Sequence, residues 1–194
     1  MRFGVVIASL TFPLGASAAE PPSTYGEVAA VVDAAERGEM TVAAALALVS
    51  AAPDAPLAGA ALGRLHVLKS REAPFIMLEF LEIQKGFGGL NLYIKDHRED
   101  PLPRVWRAAS AVETNYALWS LADTRADLVS AYDFCLRDTS LPDQTARCKL
   151  LLGFVAKDSG ELEQALRLWA DAFAADPAGP AGKKAAQLLA LFTG

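Results

Sequence analysis

The chain has 194 residues and a net charge of −5, with 18 Lys and Arg against 23 Asp and Glu. At roughly 100–200 residues per domain this is one domain with a full core, which needs neither a metal nor a disulfide to fold. The acidic balance excludes a broad basic face for nucleic acid. Two histidines and two cysteines exclude most multi-ligand metal sites, so neither a metal nor a cofactor is expected.

Arg2 opens the chain, an apolar run follows from Phe3 to Leu14, and Ala16-Ser17-Ala18 closes the segment. A positive start, a short apolar centre and small residues before the cut define a secretory signal peptide over residues 1–18. Cleavage is expected after Ala18, with Ala19 the second choice. The run is too short to span a bilayer. The mature part, 19–194, is therefore expected to be periplasmic or secreted, with no membrane insertion. Cys135 and Cys148 suit that compartment and are expected to form a disulfide around the turn 138–143, with two buried free thiols as the alternative.

Beyond the signal, helical periodicity dominates and strand-like alternation is hard to find. Breaks near Gly38, Pro53, Pro74, 100–103, Asp123, Pro142, Gly160 and 176–180 predict nine helical segments. Thr41, Thr124, Asp143 and Asp158 read as N-caps. Asp158 with Glu161 has capping-box spacing, and Pro74 suits a first helical turn. Gly86-Phe87-Gly88-Gly89 reads as a distorted or terminated helix, able to split 74–95, or as a close helix crossing. Helices are expected over 103–120 and 124–137. In 161–175 the residues Leu162, Ala165, Leu166, Trp169, Ala172 and Phe173 form one stripe. Cys148, Leu151, Leu152 and Val155 face it across the turn at 157–160, which predicts an antiparallel hairpin.

This hairpin resembles a tetratricopeptide repeat, a helix–turn–helix unit of about 34 residues. Over 146–179, Leu152-Gly153, Ala165, Trp169, Ala172 and Pro177 match the family pattern. Lys149 and Ala156 depart from it, at positions where the family has tryptophan and tyrosine. The resemblance implies an all-α fold of antiparallel hairpins stacked as a short right-handed solenoid, because such hairpins cannot bury their apolar faces alone. The segment 180–192 is expected to cap the stack. Lys183, Lys184 and Gln187 would face solvent while Leu188, Leu189 and Phe192 cover the last repeat.

No nucleophile elbow, zinc helix or dinucleotide fingerprint occurs, and the protein is not expected to be an enzyme. His66 reads as a packed core histidine, and 95–100 as a solvated charged loop. Arg104, Trp106, Arg107, Asn115 and Trp119 form the first candidate partner surface, since arginine and tryptophan often anchor interfaces. The competing reading places both tryptophans in the core. On the matched repeat, the resemblance implies an inner face exposing Leu150, Phe154 and Lys157. The expected function is a non-enzymatic periplasmic adaptor that binds a protein or peptide segment on the concave face of the solenoid, accessory to an envelope assembly or transport system. The alternative is a small-molecule or lipid carrier, or an accessory component of a solute transporter, with Phe75, Met77, Phe80, Phe87 and Tyr93 around a pocket.

Overall fold

The computed structural model describes residues 20–114, 121–131 and 142–193. Residues 1–18, read above as a signal peptide, and Asn115, Trp119 and Cys135 lie outside the described residues. Among those described, the chain is all-helical, with nine helices: α1 (Tyr25–Arg37), α2 (Val42–Ser50), α3 (Ala58–Ser70), α4 (Ile76–Asp96), α5 (Leu102–Thr114), α6 (Leu121–Ser130), α7 (Pro142–Asp158), α8 (Leu162–Ala175) and α9 (Pro180–Thr193). None of them is long and apolar enough to cross a membrane.

Local chemistry sets the helix ends. Thr24 and Glu27 form a reciprocal capping box at the start of α1, and Gly38 ends that helix in the left-handed conformation at φ 74°. Thr41 caps α2 by accepting from the Ala44 amide, as expected. The other predicted caps shift. Thr124 lies inside α6, and Asp143 falls in the first turn of α7, which starts at Pro142. Asp158 ends α7 and does not begin α8, whose N-cap position is Glu161 without a side-chain bond. Pro74 precedes α4, whose N-cap position is Phe75.

The glycine cluster does not break α4, which is continuous over 76–96. It is instead the close crossing. A Cβ on Gly63 of α3 would stand 2.8 Å from the Gly86 carbonyl oxygen, and one on Gly89 would stand 3.2 Å from the Gly63 α carbon. Backbone meets backbone here because neither helix carries a side chain at the contact.

Among the described helices, each well-developed contact joins helices one or two apart in the chain. Each helix packs on the next, and α1, α3, α5, α7 and α9 also pack in turn on one another. The odd-numbered helices thus form a continuous row, with α2, α4, α6 and α8 beside it. Apolar burial follows the same order. Val28, Val32, Leu65 and Trp106 belong to one cluster spanning α1 to α5. Val105, Leu128, Cys148 and Val155 join α5, α6 and α7. Ala165, Trp169, Ala185 and Leu188 join α8 to α9. In the last helix Lys183, Lys184 and Gln187 are exposed and Leu188 is buried, while Phe192 is itself exposed, its ring tilted against that of Trp169 at 5.6 Å.

Candidate functional site

All five odd-numbered helices contribute residues to one cavity of about 440 Å³. In α7 these form a stripe of Arg147, Leu150, Leu151 and Phe154, at steps of three and four. α3 and the residue after it supply Arg64, Leu68 and Arg71, and α5 supplies Ala109, Val112 and Glu113. Glu36 of α1 and the start of α9, with Pro180, Ala181 and Lys184, complete the wall. The lining is therefore apolar on one side and ionic on the other.

The ionic side is a network that ties four helices together. The Arg64 side chain is buried, and its Nε donates to Glu36 at 2.7 Å. Its Nη1 donates to Ser110 Oγ at 3.0 Å and to Glu113 at 2.6 Å, and Nη2 donates to Glu113 at 2.9 Å. Arg71 adds a second guanidinium on Glu113 at 2.7 Å. Arg147 pairs with Glu36 and lies 3.9 Å from Asp33, so α7 is joined to α1 across the row. Buried charges persist only when paired in this way. Burial alone would raise the Glu113 carboxyl, but the Arg64 and Arg71 guanidiniums outweigh it and hold Glu113 below the ordinary carboxylate value. Burial also lowers the Arg147 guanidinium, against the pull of Asp33.

Of the predicted partner residues, Leu150 and Phe154 line this cavity. Leu150 is more deeply set than expected, at 9% exposure. Phe154 is half-buried and meets Trp169 edge-on at 5.7 Å. Lys157 is exposed but does not border the cavity; its Nζ lies 3.2 Å from Asp158 and 5.9 Å from the Phe192 ring centre. Trp106 is a correction. It has no exposed surface, because α5 is covered on more than one side, and it belongs to the core. Arg107 is spent on structure, with Nε 2.8 Å from Asp127 and Nη1 2.7 Å from Asn91. Arg104 reaches Asp127 at 3.7 Å and the Arg98 carbonyl at 3.1 Å.

The five residues named for a carrier pocket do not converge. Phe75, Met77 and Phe80 are exposed along the first two turns of α4, whereas Phe87 is buried against Val67 and Ile83. Tyr93 points its hydroxyl toward Asp100 at 3.4 Å. His66 is partly exposed and meets Glu82 at 2.6 Å. The charged loop after α4 is solvated up to Glu99, but Asp100 also accepts from Tyr25 at 2.7 Å and from the Leu102 amide.

Sequence reasoning missed Asp33, Glu36, Arg64, Glu113 and Arg147. The signal available was a charge set within an apolar helical face, as with Arg64 between Ala61 and Leu65. Comparison with known families, curated proteins and solved structures finds no match to this chain.

Proposed function

We propose that the protein is a non-enzymatic, exported interaction adaptor. It is a short right-handed solenoid of tetratricopeptide type whose inner row receives side chains of a partner segment. The observation that carries this reading is the single cavity lined from α1, α3, α5, α7 and α9 together. The contact order, with odd helices packed in turn on one another, supports a stack of hairpins. In the matched hairpin the burial of Ala165, Trp169 and Ala172 and the contact of Gly153 with Trp169 support this reading. Leu150 and Phe154, which the resemblance assigns to the inner face, line the cavity.

The chemistry of the wall favours binding over catalysis. Glu113 is held ionised by two guanidiniums, the opposite of what a general acid needs. Arg71 and Lys184 stay exposed at the rim and suit an acidic group beside an apolar anchor. Export through the signal peptide puts the adaptor in the periplasm or outside. Substituting Phe154→Ala together with Lys184→Glu is expected to abolish retention of a reproducible partner on the tagged protein from cross-linked envelopes. Retention unchanged by that pair, in a folded variant, overturns the assignment.

One observation favours a second reading, a carrier. The cavity volume lies within the range of roughly 300–1,000 Å³ typical of small-molecule sites. Native mass spectrometry separates the two: a stoichiometric bound metabolite or lipid supports the carrier, and a clean apo mass supports the adaptor.

A further inference from the structure

The first two turns of α4 carry the densest apolar exposure among the described residues. Ile76 is 83% exposed, Phe75 69% and Met77 67%, with Leu78 at 44% and Leu81 at 43%. Geometry explains the exposure. Gly63 meets Gly86 and His66 meets Glu82 along the α3–α4 pair. That antiparallel register brings Ser70, the last residue of α3, level with the neighbourhood of Glu79. The residues from Phe75 to Leu78 therefore project past the end of the helix that covers the rest of α4.

At roughly 150–250 Å² for a whole large side chain, these five leave on the order of 600 Å² in water. That is the upper end of the largest apolar patch on a typical monomer, about 300–600 Å². We propose that this tip is a self-association surface, in which the first two turns of α4 from two copies pack side by side across a two-fold axis. Two copies joined there would bury about 1,200 Å², the lower bound for a specific interface. Charge balance suits the same occupant. The tip is flanked by Lys69, Arg71 and Lys85 against Glu72, Glu79 and Glu82, with Lys69 and Lys85 on Glu82 and Arg71 on Glu113 within the chain. A copy of this tip meets them without net repulsion, although the whole chain carries −5. An anionic lipid surface would call for a basic excess that the tip lacks.

The interface shares Arg71 with the cavity wall but none of Leu150, Phe154 or Lys184, so its failure leaves the adaptor reading standing. The test is sedimentation equilibrium of the purified full chain over a wide concentration range, with Ile76→Asp as the variant. A reversible monomer–dimer equilibrium is expected, weakened at least tenfold by Ile76→Asp. Circular dichroism should not change, because Ile76 makes few contacts within the fold. A photoreactive residue replacing Met77 should link α4 to α4 in the dimer. A monomer at all concentrations overturns the proposal. So does a dimer indifferent to Ile76→Asp, or one whose cross-links map away from α4. Flotation of a monomer with phosphatidylcholine vesicles, lost in Ile76→Asp, would overturn it in favour of a lipid surface.

Discussion

The indole of Trp169 lies directly on the α carbon of Gly153. A methyl group there would overlap indole Nε1 and Cδ1 and stand 3.1 Å from Cε2. The same helix also holds the ring by a hydrogen bond, since Nε1 donates to the Leu150 carbonyl at 3.3 Å. Gly153→Ala is therefore expected to lose about 1–3 kcal/mol by overpacking. Gly26→Ala is the control. It meets nothing within 4 Å and should gain about 0.5–1 kcal/mol from helix propensity. Urea unfolding of both variants checks the contrast, and equal effects would contradict the α7–α8 packing.

Trp106 has a different environment. Its side chain is fully buried, and its indole N–H has no hydrogen-bond partner among the described residues. Trp106→Phe is expected to cost little, because it removes an unsatisfied donor along with some volume. Trp106→Ala should cost about 3–5 kcal/mol through the cavity it leaves. Thermal unfolding of the two variants decides. If Trp106→Phe is as damaging as Trp106→Ala, the indole nitrogen has a partner in solution.

The contrast between the two tryptophans shows what the sequence could carry. Trp169 sits in a helix with one clean apolar stripe, so its burial was legible from spacing alone. In α5 Leu102, Val105, Trp106 and Ala109 are buried on one face, and Pro103, Ala108 and Ala111 are buried away from it. A single helical wheel cannot tell a second buried side from an exposed binding face. The ion network was less legible still, because Arg64 reaches partners 28 and 49 residues away in sequence. Breakers such as Gly38 and Pro142 marked the segments well, whereas Gly86 and Gly89 marked a crossing instead of an end. Spacing cannot separate those two uses of glycine. Exposure of the α4 tip was invisible for the same reason: apolar residues read as core until the covering helix is seen to stop short.

Acid should weaken the network at a defined point. Glu113 is depressed in the folded state, so its contribution is complete above the ordinary carboxylate value of 4.5 and is lost as pH falls below it. The wild type is expected to lose more stability than Glu113→Gln between pH 5 and about 3, measured by chemical unfolding at each pH. Parallel curves would mean that Glu113 does not titrate with folding. Arg64→Met should cost about 1–3 kcal/mol at neutral pH, since Ser110 loses its donor while Glu36 and Glu113 keep only Arg147 and Arg71.

Cys148 is buried and is not a free thiol. The chain has two cysteines, and we propose that Cys148 pairs with Cys135, which lies outside the described residues. Alkylation of the unfolded, unreduced protein should label neither cysteine, and reduction should lower stability by roughly 3 kcal/mol. Labelling of both without reductant would contradict the pairing.

The central claim is that the inner row of helices holds a partner. A photoreactive amino acid placed at Lys184, on the cavity rim, tests it most directly when compared with one at Glu163, exposed on α8. Illumination of living cells is expected to give discrete heavier adducts from position 184 that vanish when Phe154→Asp is added. Position 163 should give none. Adducts from 163 with none from 184, or adducts at 184 indifferent to Phe154→Asp, would contradict the account.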